Sequence, residues 1–427
     1  MVKSPSEVMI AENKISFMEV MTMKKFAKVL ALCLALIMVI GCFAACGGKT
    51  DNDDANKPAD LKVGFIFLHD EQSTYDKNFM VAAKAACDEM GVVYVQKVGI
   101  PESKDCYDAA VELIEVDGCD IIFADSFGHE SFLIDAAKKY PDVQFCHATG
   151  TQAHTANVPN FHNAFASIYQ GRYLAGVAAG LKLNEMIDAG KITADQAKMG
   201  YVGAFTFAEV MSGYTSFYLG AKSVCPTVTM DVKFTGSWYD EQLEKEAAQA
   251  LIAGGCVLIS QHADSMGAPT ACETAGVPNV SYNGSTVAAC PNTFIVSSRI
   301  DWTPYFKYMI KCVQDGTAID TDWTGTIETG SVVLTEINEK AAAAGTAEKL
   351  ADVKAKLLDG SIQVFDTANF TINGEKITSY MADVDTDANF EKDTEVVENG
   401  IFNESKFRSA PYFDARIDGI TLLDEKY

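Results

Sequence analysis

The sequence predicts an α/β fold with two parallel sheets, because short apolar runs alternate with amphipathic stretches along most of its 427 residues. Near-continuous apolar runs are typical of strands that helices cover on both faces. The stretches between the runs repeat their apolar residues at the period of an α-helix. The alternation occurs twice, over residues 61–148 and again over 198–282. Two such arrays in series predict two doubly wound lobes.

In the first array the predicted strands and helices follow one another in strict turn. The run KVGFIF at 62–67 is rich in residues that favour strands, and Phe79, Ala83 and Ala86 then recur at helical spacing. Further strands are predicted at 92–98, 120–124 and 143–148, and further helices at 109–116 and 129–139.

The second array repeats this order. Strands are predicted at 198–203, 228–234, 256–260 and 279–282, and helices at 209–224, 241–253 and 268–275. A helix at 171–184 joins the two arrays, and a helix at 301–315 follows the second. The tail is less regular, and we predict an acidic loop at 383–404.

The N-terminal region has the organisation of an export signal. Lysines precede an unbroken apolar run at 29–40, which is shorter than the roughly 20 residues needed to span a bilayer, so a removed signal is the better interpretation. The sequence AACGG around Cys46 resembles the lipobox of bacterial lipoproteins. The resemblance implies lipidation of Cys46, with Cys42 as the alternative, and a protein anchored on the extracytoplasmic face of a bacterial cell membrane.

These features divide the region before the first strand into three parts. Residues 1–22 are an N-terminal extension that precedes an alternative start at Met23, and residues 23–45 are the signal peptide. Residues 46–60 are polar and without apolar periodicity, which predicts a flexible tether.

The charge and the cysteines exclude several classes of protein. A formal net charge of −24 argues against nucleic-acid binding, because phosphate recognition needs a basic surface. Beyond the signal, nine of the twelve cysteines are widely spaced, lie mostly in apolar surroundings and form no CxxC pair. We therefore expect buried free thiols rather than a disulfide framework.

Aromatic and polar residues recur directly after the predicted strands of both arrays. Ligands of open parallel sheets bind beyond the carboxyl ends of the strands, so these positions are the candidate site. A flat polar ligand needs rings that stack on its faces and polar side chains that pair with its edge. The rings are expected from Tyr75, Phe127, Phe205, Trp238 and Trp302, and the polar contacts from Asp76, Asn78, Asp125, Thr149, Glu209, Asp264 and Asn283.

The sequence contains none of the common catalytic patterns. GxGxxG, Walker A, GxSxG and HExxH are all missing, and no histidine has metal-ligand spacing. A lipid-anchored α/β hydrolase would need Ser126 with His129 or Ser265 with His262, and neither serine lies on a nucleophile elbow. We therefore expect a binding protein that is not an enzyme and has no cofactor and no metal.

Several segments of the two arrays together resemble the basic membrane lipoprotein family, the substrate-binding lipoproteins of ABC importers that are related to purine nucleoside receptors. The segments are AAKKYPDVQF at 136–145, GRYLAG at 171–176, LGAKSV at 219–224, WYD at 238–240 and QHADS at 261–265. The resemblance covers residues 61–315. It implies a type I periplasmic-binding-protein fold, in which two Rossmann-like lobes meet at a hinge and enclose the ligand.

The same resemblance implies the lobe boundaries and the partners. Lobe 1 takes 61–180 and part of 296–427, and lobe 2 takes 181–295 with part of the C-terminal region. The partners are a small-molecule ligand and an ABC permease, and the protein is expected to be a monomer. A ligand-sensing lipoprotein that signals to a membrane receptor is the alternative.

Three positions depart from the nucleoside-binding members of the family. Thr149 stands in place of an acid, Asn283 in place of a ribose-binding aspartate, and Ile300 in place of a lysine. The sequence HATG at 147–150 and Trp238, together with Trp302, instead resemble a branch that binds free purine bases. The resemblance therefore implies a purine base such as adenine rather than a nucleoside.

Overall fold

Two twisted sheets form the framework of the computed structural model, which describes residues 61–385 and 391–427. These residues belong to one compact unit that spans Asp60–Tyr427. Within this described part of the chain, no helix combines the length and the apolar character that crossing a membrane requires. The predictions for 1–60, including lipidation of Cys46 or Cys42, concern residues outside the described part.

The first sheet has six parallel strands in the order β11-β5-β4-β3-β1-β2. Its strands are β1 Lys62–Ile66, β2 Val93–Lys97, β3 Ile121–Ala124, β4 Gln144–Ala148, β5 Phe161–Ala166 and β11 Asp322–Gly325. All four residues of β3 are buried, as the sequence predicts for a strand covered on both faces.

The second sheet has seven strands in the order β12-β10-β9-β8-β6-β7-β17, and only its β10–β12 pair is antiparallel. Its strands are β6 Lys198–Gly203, β7 Thr229–Phe234, β8 Leu258–Gln261, β9 Asn279–Tyr282, β10 Phe294–Ile300, β12 Val332–Leu334 and β17 Ile420–Leu422. The chain passes from the first sheet to the second after β5, returns for β11 and crosses again to β12, so three segments connect the sheets.

In the described residues, ten α-helices pack on the sheets or lie in the loops that connect the strands. They are α1 Thr74–Met90, α2 Lys104–Glu115, α3 Glu130–Lys139, α4 Ala153–Ala156, α5 Ile168–Asp188, α6 Ala208–Val224, α7 Glu241–Ala253, α8 Gly267–Ala275, α9 Thr303–Asp315 and α10 Thr346–Leu358. Short 3₁₀ turns lie at Phe127–His129 and Ala194–Gln196. Four two-residue strands complete the C-terminal region: β13 Met381–Ala382, β14 Thr394–Glu395, β15 Val397–Glu398 and β16 Ile401–Phe402.

Helices α5 and α6 pack at unusually short range. A Cβ atom on Gly176 would lie 1.9 Å from the backbone oxygen of Phe217, and one on Gly220 would lie 2.0 Å from that of Tyr173. Glycine therefore allows the two backbones to touch. Helix α5 is buried around most of its circumference, which explains its weak amphipathic pattern.

The predicted alternation of strands and helices is confirmed in both arrays, with ends that shift by a few residues. The sequence prediction gave no bounds for β5, for β10 to β17, for α4 or for α10. The nine cysteines that the structure describes are all free and buried, as expected. The described residues of the predicted acidic loop at 383–404 include β14 to β16 and a buried Glu404.

Candidate functional site

A cavity of about 640 Å³ lies at the carboxyl ends of the strands, between the loops of the two sheets. This is the edge at which open parallel sheets bind their ligands. Its walls come from three parts of the chain, which are the loops of the first sheet, the loops of the second sheet and the C-terminal segment. The lining residues are Leu68, His69, Tyr75, Asp76, Ser126, Phe127, Thr149, Thr151, Thr206, Phe207, Ala208, Glu209, Trp238, His262, Asp264, Asp383, Arg408, Ala410, Pro411, Tyr412, Asp414 and Tyr427.

Aromatic rings from both sheets meet at the cavity. Phe205 and Phe207, after β6, stack with 5.2 Å between ring centroids, and Trp238 meets Phe205 edge-on at 5.1 Å. Phe127, which follows β3 of the first sheet, lies 5.4 Å from Phe207. Phe127 keeps 39% of its surface exposed, so its ring is available to a ligand. The aromatic cluster therefore spans the two lobes and offers apolar faces to a flat molecule.

Asp76 is the cavity carboxylate of the first sheet, and the start of α1 holds it in place. Its backbone N–H donates to Oγ of the N-cap residue Ser73 at 3.1 Å, and its Oδ1 accepts from the backbone N–H of His69 at 2.8 Å. Burial alone would raise the pKa of Asp76, but hydrogen bonds from His69, Ser73 and Asp125 outweigh it and lower the pKa. Asp76 is therefore a preorganised anion in the wall.

Asp125 lies behind Asp76 and is completely buried. Its Oδ1 accepts from the backbone N–H of Leu68 at 3.2 Å, and its Oδ2 has no hydrogen-bond partner among the described residues. Burial and the charge of Asp76 raise the pKa of Asp125 well above its usual range. Tyr75 donates its hydroxyl to the backbone oxygen of Asp125 at 2.8 Å, which holds the tyrosine ring against the cavity.

The second sheet contributes two more carboxyl groups. Glu209, at the start of α6, pairs through Oε2 with Nε2 of His262 at 2.8 Å. Asp264 follows β8, and burial together with the charges of Asp76, Glu244 and Glu209 raises its pKa well above the usual range. The protonated form of Asp264 is therefore favoured, and it can both donate and accept a hydrogen bond.

Two direct hydrogen-bonded contacts join the lobes beside the cavity. Thr74, the first residue of α1, donates from its backbone N–H and its hydroxyl to the backbone oxygen of Asp264, at 3.0 and 3.1 Å. Asn78 donates from Nδ2 to the backbone oxygen of Ile300 at 2.6 Å. The structure thus holds the two lobes in contact around the cavity.

Seven of the twelve predicted site residues line this cavity. They are Tyr75, Asp76, Phe127, Thr149, Glu209, Trp238 and Asp264. Contact of these side chains with a ligand stays a prediction, since the structure establishes only that they share one cavity.

Three polar residues of the predicted set lie behind or beside the cavity wall. Asp125 supports Tyr75, and Asn78 joins α1 to Ile300. Asn283 lies next to Asp264, and a hydrogen bond from its side-chain amide opposes the rise in the pKa of Asp264.

Two of the predicted rings do not line the cavity. Phe205 lies behind the wall, where it stacks on the lining residue Phe207. Trp302 was expected to sandwich the ligand, and the structure corrects this prediction because only 1% of its surface is exposed. It is the N-cap residue of α9 and stacks on Phe79 at 4.4 Å in the core.

The sequence reading also missed several lining residues. Phe207 and His262 lie in the same strand-end loops as predicted residues, so their position alone would have included them. The C-terminal members, such as Arg408, Tyr412 and Tyr427, lie in an irregular tail with no periodic pattern. No group of three or more potential metal ligands occurs in the described ranges.

The fold and the cavity together define a two-lobed solute-binding protein. The chain belongs to the family of PnrA-like ABC transporter substrate-binding proteins, whose sequence profile matches residues 66–367. Proteins of this kind bind a small molecule and deliver it to an ABC transporter, and they are not enzymes. The family and the fold expected from the sequence are both confirmed.

Among the relatives is a purine-binding protein of Brucella abortus, 33% identical over 262 residues that cover 60% of this chain and 70% of that protein. A protein of Haloferax volcanii, provisionally named an ABC transporter glucose-binding protein, is 34% identical over 51% of this chain and 52% of its own length. Solved solute-binding proteins from Aeropyrum pernix and Conexibacter woesei superpose with TM-scores of 0.60 and 0.58. They cover 71% of this chain, and 92% and 98% of theirs, at 17% and 19% identity, which supports the fold alone.

Proposed function

We propose that this protein binds a purine base in the cavity between its lobes and delivers it to the membrane permease of an ABC importer. One observation carries the proposal, which is that aromatic rings and carboxyl groups from both lobes line the same cavity. A purine is flat, so it can stack on rings such as Phe127, Phe207 and Trp238, and its edge carries both donors and acceptors of hydrogen bonds.

The carboxyl groups match an aminopurine edge. Adenine presents an exocyclic amine next to a ring nitrogen, which is a donor beside an acceptor. A protonated carboxyl, the form that burial favours for Asp264, offers the complementary acceptor and donor. The ionised Asp76 accepts hydrogen bonds from a further N–H group.

The charge of the cavity disfavours an anionic ligand. His69 and His262, both in the wall, lie against Asp76 and Glu209. Arg408 directs Nε, Nη1 and Nη2 at three backbone carbonyls. A phosphorylated ligand would therefore meet carboxylates without a matching cation, whereas a neutral or cationic base would not.

The relatives support two ligand classes. The Brucella abortus relative is named for purine binding, and it is the basis for preferring a purine. The Haloferax volcanii relative is named provisionally for glucose, and the hydroxyl groups of a sugar would also donate to these carboxylates while its apolar face packs on Trp238. Glucose is therefore the second candidate.

Isothermal titration with adenine, guanosine and glucose tests the proposal. We expect heat of binding with adenine, weaker heat with guanosine and none with glucose. Heat with glucose alone would replace the purine proposal by the sugar one. Absence of heat with both purines would contradict the purine proposal, provided that denaturation and refolding have first removed any ligand retained from the cells.

Export and lipid anchoring at Cys46 complete the proposal. Its support is the sequence AACGG after a short apolar run. In a bacterial host, the Cys46→Ser variant should appear in the soluble extracytoplasmic fraction while the wild type stays with the membranes. Membrane retention of Cys46→Ser, together with release of Cys42→Ser, would assign the anchor to Cys42 instead.

A further inference from the structure

One wall of the cavity comes from a part of the chain beyond the family match. That match ends at residue 367, yet seven cavity-lining residues follow it: Asp383, Arg408, Ala410, Pro411, Tyr412, Asp414 and Tyr427. We call residues 404–427 the C-terminal strap. The strap therefore lies outside the part of the chain that the family profile describes.

The strap is attached to both sheets, one attachment on each side of the cavity. Ser409 donates from its backbone N–H and its Oγ to Oδ1 of Asp322 on β11 of the first sheet, both at 2.9 Å. Strand β17 pairs in parallel with β7 at the edge of the second sheet. Thr206 and Lys426 exchange two hydrogen bonds, at 2.7 and 2.9 Å, next to the loop that carries Phe207. The lining residues 410–414 lie between these attachments and are therefore held over the cavity.

Arg408 fixes the conformation of the strap at this point. It is 6% exposed, and its guanidinium donates to the backbone oxygens of Ala410, Pro411 and Val384 at 3.1–3.2 Å. The same guanidinium lies 5.6 Å from the ring centroid of Tyr412. Arg408 is thus a positioning residue that sets the path of the wall.

The strap brings its own recognition chemistry to the wall. Asp414 contributes a carboxylate that accepts from the hydroxyl of Tyr380 at 2.7 Å and pairs with Lys392. Tyr427 keeps 76% of its surface exposed, so its ring is free to meet a bound molecule. A carboxylate and an exposed ring repeat the two kinds of group that the strand-end loops supply.

We propose that the C-terminal strap is a third ligand-recognition element, in which Asp414 and Tyr427 contact the bound molecule and Arg408 positions the segment that leads to Asp414. This proposal rests on the proposed function for the identity of the ligand. The strap would select molecules that carry hydrogen-bond donors, since it adds a carboxylate acceptor to the wall while the donors of its arginine face backbone carbonyls.

The test compares Asp414→Ala with Glu398→Ala by titration with adenine, guanosine and glucose. Both variants lose a carboxylate that pairs with a lysine on the same C-terminal region, but only Asp414 lines the cavity. For whichever of the three compounds the wild type binds, we expect Asp414→Ala to raise Kd about tenfold or more, as for a lost charged hydrogen bond, and Glu398→Ala to leave it unchanged. Tyr427→Ala should weaken binding as well. Wild-type affinity in both Asp414→Ala and Tyr427→Ala would overturn the proposal and leave the proposed function intact.

Hydrogen exchange provides a second test of the proposal, which does not depend on the ligand. The backbone amides of Ser409 and Thr206 donate across the two attachments of the strap, so they should be protected in the full chain without ligand. If both amides exchange at unprotected rates, the strap is not attached to the two sheets, and the proposal is overturned even if no compound binds the wild type. If both amides are protected but none of the three compounds gives heat of binding, the result supports the attachment of the strap to both sheets and contradicts the purine proposal.

Discussion

Glu404 makes the stability of the protein depend on pH, and replacing it should remove part of that dependence. The side chain is 3% exposed, its Oε1 accepts from the hydroxyl of Ser212 at 2.8 Å, and its Oε2 has no partner in the described ranges. Burial raises the pKa of Glu404 from 4.5 to about 7, the charge of Glu209 adds to the rise, and hydrogen bonds from Ser405 and Ser212 oppose it.

The direction of the effect follows from proton linkage. Between about pH 4.5 and 7 the folded protein keeps a proton on Glu404 that the unfolded chain has released, so the free energy of unfolding falls as the pH rises. This loss of unfolding free energy is complete above the folded-state pKa of about 7, where it amounts to at most roughly 3 kcal/mol. The Glu404→Gln variant cannot ionise, so it should lack this loss.

The assay is urea unfolding of wild type and Glu404→Gln at pH 5 and pH 8. A glutamine leaves its own amide donors poorly paired, but that cost is the same at both pH values and cancels when the two are compared. We expect the variant to gain about 2–3 kcal/mol relative to wild type on going from pH 5 to pH 8. The exposed Glu398→Gln is the matched control on the same segment. An equal difference between wild type and Glu404→Gln at both pH values would refute the reasoning.

Two further predictions concern the packing of helices and the aromatic cluster. Gly176→Ala should destabilise the protein by about 1–2 kcal/mol in urea unfolding, because overpacking against the Phe217 backbone outweighs the helix propensity of alanine. Gly171→Ala, on the same helix, meets only side chains at 3.0 Å or more and should cost less, and equal costs would contradict the close approach. Trp238→Ala should raise the Kd for adenine about tenfold, since stacking contributes about 1–3 kcal/mol per base. Trp323→Ala, outside the cavity, should not change Kd, and an equal loss in both variants would argue against stacking on Trp238.

The fold was predictable where the residues of a strand are apolar without interruption. Strand β3 has this character, β1 and β6 have it after an initial lysine, and all three were found within one residue. Strand β5 was missed because His162 and Asn163 interrupt its apolar run, although every residue of the strand is buried. Nε2 of His162 pairs with Gln144, and Nδ2 of Asn163 donates to Glu130, both of which are distant in sequence. No local pattern signals such partners.

The missed helix α10 differs from this case, because its signal was present. Leu350, Val353 and Leu357 are buried and recur at helical spacing. The short strands β11 and β12 had no such signal, since β11 has the sequence DWTG, which is neither apolar nor fully buried, and β12 has only three residues. Their places at the edges of the two sheets depend on contacts with strands formed elsewhere in the chain.

The candidate site shows which feature of a strand end decides where a side chain lies. Trp238 and Trp302 both follow a strand of the second sheet, and both were predicted to stack on the ligand. Trp238 lies in a loop between β7 and α7, and its side chain reaches the cavity. Trp302 has helical backbone angles as the N-cap residue of α9, so the chain has already turned back over the sheet and carries the ring into the core.

The length of the connection after a strand is therefore as informative as the residues in it. Strand β10 ends at Ile300 and α9 begins at Thr303, which leaves too little chain to extend past the sheet edge. Strand β7 and α7 are separated by 235–240, and that longer loop carries Trp238 outward. The strap could not be predicted for a different reason, since its position over the cavity depends on its contacts with Asp322, with strand β7 and with Thr206, all of which are distant in sequence. The rule that ligands bind beyond strand ends locates the two walls of the cavity, one formed by the loops of each sheet. The third wall depends on contacts with both sheets, so it is found only from the folded structure.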